Sequence, residues 1–354
     1  MQTIKLLNRI NTWGLLVCLL ITAASYAKVN GNIEKRKSVI KIYDVSSKDN
    51  LLIDNQFGQV KVSLWDKNEI RIDISIKANS SSDNRAQQFL DAVEIEDKKS
   101  GNQISLRTII NKNGDSNWSW NKNNGKGNYV QIDYHVSMPK NTPMTIKNRF
   151  GDTDIPVFMA PLNIVSKYGT FSANDLGTKN DIDVSYGKAE IQKMSNGNLD
   201  IAYSTLELDK ANNVILNNKF GKMKIGEVET LDGQFSYSGG RIGTIKGSSK
   251  IKLSFSGGFR IDQLNPTADN VDIEASYSSI VMPIENNDCH FDVTVSYGGF
   301  KYPNDRQVSF SHNDDERKDD NRGHRTTKQY VGKMGKGNGS KIKIVSKYGE
   351  VSLK

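Results

Sequence analysis

The chain has 354 residues, 36% of them hydrophobic and 25% charged, with a formal net charge of +8 and a mean hydropathy of −0.56. This length accommodates two ordinary domains or one long repeat array, and the polarity excludes a multi-span membrane protein. The 29 glycines against 7 prolines point to many tight turns, and the 2 cysteines exclude a disulfide framework.

The first predicted element is an export signal. Lys5 and Arg9 precede an apolar run over 13–24, and Ser25-Tyr26-Ala27 then supplies small residues before a cleavage point. This order predicts a secretory signal peptide over 1–27, and the apolar run is too short for a stable membrane span. Export places the mature chain in the periplasm, on the outer cell surface or outside the cell. Cys18 follows bulky Val17 and is itself followed by apolar residues, which argues against lipid attachment. Cleavage leaves Cys289 alone, read as a small buried apolar residue. The signal region carries basic and no acidic residues, so the mature chain stays basic. A basic exported protein suits acidic polysaccharide or membrane surfaces, and no helix-turn-helix, RNA-binding or zinc pattern points to nucleic acid.

Residues 28–143 are expected to form a β-rich cap. A first repeat unit surrounds Phe57, with Ile53 before it and Val60, Val62 and Trp65 after it. Alternation over 70–76 predicts a strand. Ser82 is placed to cap a helix near 83–94, in which Ala86, Phe89, Leu90 and Val93 share a face. Residues 104–110 and 129–138 are again strand-like. Between them a Gly/Asn loop holds Trp118 and Trp120, the candidate ligand contacts, because connecting segments tend to carry recognition and exposed indoles stack on sugar rings.

Residues 144–302 carry a repeat. An aromatic followed by Gly or Ser recurs at Phe150, Tyr168, Tyr186, Tyr203, Phe220, Tyr237, Phe255, Tyr277 and Tyr297, in steps of 17 or 18 that widen to 22 and 20 at the end. Apolar residues fall two and four positions before the aromatic, as in Ile182 and Val184, and three and five after it, as in Ala189 and Ile191. Period-2 alternation on both sides, with opposite phase, requires two strands and a bend between them. The Gly or Ser after the aromatic is expected to take the special dihedrals of that bend. Asn-Gly clusters such as 195–198 mark the turn into the next unit. The fold predicted is an all-β, right-handed parallel β-solenoid of 17–18-residue rungs. An antiparallel meander has no need of a bend at a fixed aromatic. Residues 303–340, charged and glycine-rich, are expected to be a flexible loop, and 341–354 the final rung.

The phrases Asn55-Gln56-Phe57-Gly58, Lys147-Asn148-Arg149-Phe150-Gly151, Ser166-Lys167-Tyr168-Gly169 and Ser346-Lys347-Tyr348-Gly349 resemble those of a family of secreted Bacteroidota proteins classed as adhesins, related to GIN-type auto-transporter adhesin head domains. So does the segment from Val62 to Asn68. The resemblance covers the mature chain and implies a β-solenoid outside the cytoplasm. It brings no catalytic residues with it.

Parallel β-helices also serve as polysaccharide lyases and hydrolases, which need clustered carboxylates in a groove. Asp152, Asp154, Asp181 and Asp183 are the densest candidates, at alternating positions where outward solvated acids are expected. His135, His290, His312 and His324 are scattered, and His290 beside Cys289 makes no metal site. No Ser-His-Asp spacing, phosphate loop or calcium repeat is present. The sequence therefore predicts a non-catalytic surface-binding protein without cofactors, with cell-surface glycans or an envelope protein as partners. A polysaccharide-active enzyme, or an envelope structural or sensor protein, is the alternative.

Overall fold

The computed structural model describes residues 32–111, 127–284, 288–304, 308–315 and 326–354. The signal segment, Cys18, Trp118 and Trp120 lie outside these residues. The described chain is nearly all strand, in one hydrogen-bonded network, with one α-helix, α1, at Asp83–Asp91.

Each aromatic separates a leading strand from a trailing strand. In the leading strand Leu162–Lys167, Leu162, Ile164 and Ser166 turn inward and Asn163 faces solvent. In the trailing strand Thr170–Leu176, Phe171, Ala173 and Leu176 are buried. Leading strands pair in parallel with one another, one repeat apart. Met144 pairs with Leu162, Leu162 with Asn180, Asn180 with Gly197 and Gly197 with Val214. Trailing strands do the same, from Phe171 to Ala189, Leu206 and Met223. The inward side chains of both series merge into one continuous core. Burying a large apolar side chain contributes about 1.5–3 kcal/mol, most of it offset by the entropy of ordering the chain.

At the N-terminal end the strands around Phe57, Asn50–Gln56 and Val60–Trp65, continue outward in parallel to Gln103–Ile110 and Tyr129–Pro139. Pairing then turns antiparallel: Val93–Ser100 closes one edge, and Glu69–Ser80 followed by Ile33–Asp44 closes the other. Helix α1 buries Ala86, Phe89 and Leu90 against these strands. It is shorter than the periodicity suggested because Val93 opens a strand opposite Ile110. Ser82 precedes the helix but makes no capping hydrogen bond.

A buried polar joint ties this end to the repeat. Asn55 donates to the carbonyls of Ile132 (3.0 Å) and Gly58 (3.3 Å), and Thr108 donates to its Oδ1 (2.9 Å). Asn148, the corresponding residue one unit on, donates to the carbonyls of Gly58 and Asp152. The Tyr134 hydroxyl lies 2.8 Å from Thr108 Oγ1, and burial pushes its pKa up to about 12. These bonds supply further donors to main-chain carbonyls buried at the bend.

The C-terminal end differs from expectation in two ways. Within 303–340, Val308–Asn313 and Thr327–Met334 form an antiparallel pair, and the second also pairs with Cys289–Ser296. Tyr330 and Met334 are buried there and Val308 and Phe310 pack on the core, so apolar burial outweighs the charge that suggested a loop. The last strands, Ser340–Lys347 and Val351–Ser352, do not stand at the end of the series of paired strands. Ser340–Lys347 lies between Asn270–Ser276 and Cys289–Ser296, parallel to both. The link at 335–339 steps across Asp288 to reach this slot. Gly335 has a φ of +61°, and a side chain on it would overlap the Asp288 carboxylate.

Candidate functional site

Eleven aromatics line one corner of the structure: Phe57, Phe150, Tyr168, Tyr186, Tyr203, Phe220, Tyr237, Phe255, Tyr277, Tyr348 and Tyr297, in spatial order. Successive centroids are 4.7–5.0 Å apart with rings parallel within 10°. The left-handed backbone conformation belongs to the aromatics themselves, with φ between 51° and 65°, and not to the Gly or Ser that follows. That corrects the expected seat of the bend. An aromatic in this region is strained, and stacking on both faces offsets the strain by about 0.5–1.5 kcal/mol per pair. The glycines serve close approach instead: a Cβ at Gly151 would overlap the Gly58 carbonyl oxygen. Hydrogen bonding persists through the bend, as in Tyr203 N–H to Lys219 O at 2.9 Å. The rings are half-exposed, but their neighbours cover the faces, so inner rings offer edges rather than sugar-stacking platforms.

A second corner carries a groove of about 800 Å³, open to solvent. It crosses successive units where each chain turns into its leading strand. Its wall is a cross-strand row of outward residues, Thr145, Asn163, Asp181, Asn198, Ile215 and Asp232. Asn196 and Asn213 on the opposite lip are joined by a 2.6 Å hydrogen bond. Asn180 is pinned by donating to the carbonyls of Gly177 and Asn196. Amide and hydroxyl groups recur at the strand spacing of roughly 4.8 Å along Asn196, Asn213 and Thr230, whereas the wall row mixes them with the carboxylates of Asp181 and Asp232 and with Ile215. Sequence reading found this row only as solvated polar positions. The Asn-rich turns were its one visible signal.

The four acids singled out from sequence are not gathered in a cleft. Asp152 accepts the Thr170 N–H at 2.8 Å, and Asp154 is bonded by Gln59. Asp181 lines the groove; Asp183 faces Asp200 across the strand pair, and Asn217 donates to Asp200 at 2.9 Å. His135 Nε2 lies 3.0 Å from Ser63 Oγ, with Asp73 directly across from His135. Asp73 is instead held by a two-pronged Arg71 contact at 2.7 and 2.8 Å, which lowers its pKa. These three sit on an exposed strand face whose amides are spent in the sheet, so no oxyanion site adjoins the serine. His312 meets Asp314 at 3.2 Å, Cys289 is buried, and His324 lies outside the described residues. Among the described residues no group of three or more His, Cys, Asp or Glu is arranged to hold a metal, and no helix is long and apolar enough to cross a membrane.

No protein-family model and no curated protein matches the chain. Solved structures similar to it include a candidate cell adhesion protein from Clostridium sporogenes, at 11% identity and a TM-score of 0.23, covering 90% of this chain and 99% of that one. A candidate adhesin from Bacteroides fragilis is similar at 10% identity and 0.33, over 90% and 97%. A candidate lipid-binding protein from Parabacteroides distasonis is similar at 11% identity and 0.35, over 69% and 96%. The superpositions are loose.

Proposed function

We propose that the mature chain is a non-catalytic, exported surface-binding protein, a right-handed parallel β-solenoid with an N-terminal cap, that holds extended glycans along its Asn-rich groove. The observation that carries this reading is the groove itself, an open channel along which Asn196, Asn213 and Thr230 repeat amide and hydroxyl groups from strand to strand beside Asn163 and Asn198. A linear polymer can engage such a row at several points, each weak, with the sum giving avidity. An apolar ligand would leave the amides unpaired, and burying them so is costly. Export rests on the charged start, apolar run and Ser25-Tyr26-Ala27.

The test is affinity electrophoresis and a glycan array with the mature protein. Asn163→Ala with Asn198→Ala should weaken glycan retention about tenfold, from two lost hydrogen bonds, with an unchanged melting temperature. Retention unaltered by both changes refutes the groove as the site. Trp118→Ala with Trp120→Ala tests the loop indoles in the same assay. Glycan cleavage abolished by Asp183→Asn would instead establish the enzymatic reading that the Asp183–Asp200 juxtaposition favours. The winding has its own test. Excising residues 204–220 joins Tyr203 to Gly221 and should leave a soluble, β-rich protein, whereas removing eight residues there breaks register. Equal damage from both deletions argues against stacked rungs.

A further inference from the structure

We propose that the C-terminal end of the outer face holds a site for a single multivalent oxyanion, a phosphate or sulfate group, between Lys333, His290 and Lys341. These residues occupy one cross-strand row: His290 lies directly opposite Lys333 on one side and Lys341 on the other. The row continues into Ser309 beyond Lys333 and Asn270 beyond Lys341, both uncharged. The two lysines therefore stand roughly 9–10 Å apart, two strand spacings, within reach of one anion held between their ammonium groups. Lys343 lies on the same strand two residues on.

The next row along these strands alternates in sign. It reads Lys250, Asp272, Lys343, Asp292, each opposite the next. Nearby cations are also paired, Lys301 with Glu350 and Lys328 with Asp315. Among the described residues neither Lys333, Lys341 nor Lys343 meets a carboxylate in an ion pair. The row thus sets two lysines without carboxylate partners on either side of an imidazole, an arrangement that favours an anion held between them. Among the described residues Asp292 is the one acid lining this place, and its Oδ1 accepts from Gln329 Nε2 at 2.9 Å.

A recess accompanies the charge. These side chains border a cavity of about 350 Å³, with Ser309 as a further hydroxyl on its lining, while the Ser311 hydroxyl donates to the Val331 carbonyl at 3.1 Å. The link at 335–339 passes over its end. A Cβ on Gly337 would come within 3.2 Å of His290 Nε2 and 3.0 Å of Lys333 Cδ, so the link packs close beside the imidazole and the lysine stem only because this residue is glycine. The alternating signs of the adjacent row disfavour a continuous polyanion, which is why one compact anion fits better.

The experiment is a titration of the mature protein with inorganic phosphate and with sulfate, at ionic strength held constant with chloride. It is read by the His290 ring resonances and by the melting temperature. Phosphate is expected to shift the His290 signals and raise the melting temperature by linkage. Lys333→Ala with Lys341→Ala should weaken phosphate binding about tenfold or more, while glycan retention in the groove stays as it is. Phosphatidylglycerol vesicles and a sulfated glycan, compared with uncharged counterparts, then tell whether a lipid headgroup or a sugar ester supplies the group. A response that chloride reproduces, or that survives the double substitution, overturns the proposal.

Discussion

Tyr203 offers a direct measure of what holds the bends in place. Its φ is +52°, its ring stacks at 4.9 Å on both Tyr186 and Phe220, and half of it is exposed. Tyr203→Ala removes two stacks, worth about 0.5–1.5 kcal/mol each, but keeps the left-handed penalty of roughly 1–2 kcal/mol that any residue with a Cβ bears. Tyr203→Gly loses the same stacks and sheds the penalty, giving back about 0.5–1 kcal/mol through its greater freedom when unfolded. Glycine should therefore be more stable than alanine here by about 0.5–1 kcal/mol, with both below the parent. At Lys224, an exposed position inside a strand, the order should reverse by about 0.5–1 kcal/mol. Urea unfolding followed by circular dichroism reads the four variants, and exchange of the Thr205 amide, bonded to Gly187 O at 3.1 Å, reads the bend itself. Alanine equal to or better than glycine at position 203 would refute the account of stacking against strain.

Other consequences are simpler. Phe171→Ala empties a fully buried site and should cost about 3–5 kcal/mol by the same unfolding assay. Asn148→Ala removes one of two donors from each of the Gly58 and Asp152 carbonyls, which keep Asn55 and the Val60 N–H, and should cost about 0.5–1.5 kcal/mol, with faster amide exchange around Gly58 and Val60. Hydrogen bonds from Lys41, at 2.6 Å, and from Tyr43 hold the Asp97 carboxyl below its usual range. A depressed carboxyl contributes stability that is present above its unfolded value, about 3.9, and is lost as pH falls through the folded one. Acid should thus loosen the contact between Ile33–Asp44 and Val93–Ser100, seen in the Tyr43 ring resonances, and Asp97→Asn should abolish that pH dependence.

Sequence reading reached furthest where a rule is local and repeated. Alternation around each aromatic reflects side chains pointing in and out of a pleat, so the inward residues Ile182, Val184, Ala189 and Ile191 could be named without coordinates. Helix α1 was legible from its apolar face for the same reason. The seat of the bend was not, because residue preference favours glycine at positive φ, and only the stack of neighbours makes an aromatic tenable there. The groove was hidden for a related reason. Thr145, Asn163, Asp181 and Asn198 are unremarkable singly, and parallel pairing one repeat apart is what sets them in a line. The cationic row escaped notice because Lys333, His290 and Lys341 belong to three strands of differing direction.

The slot taken by Ser340–Lys347 bears on what the repeat phrase encodes. Tyr348 stacks between Tyr277 and Tyr297, which are themselves consecutive in the sequence. Every unit presents the same two edges, a leading strand with inward apolar residues and an aromatic at the bend, so the phrase specifies how a unit joins a neighbour but not which neighbour. Chain order decides the matter only where the connection is short, as between Tyr186 and Phe220. After Tyr277 the connections are long enough to permit either order, and local packing chooses. The strand Thr327–Met334 runs antiparallel and covers the far edge of Cys289–Ser296, and the 335–339 link then delivers the last strand to the near edge. A parallel unit on the far edge would have left an open leading strand of the kind that invites pairing with another molecule. Inserting the last unit and closing the end with antiparallel strands gives the C-terminal edge the same protection that Val93–Ser100 gives the N-terminal one.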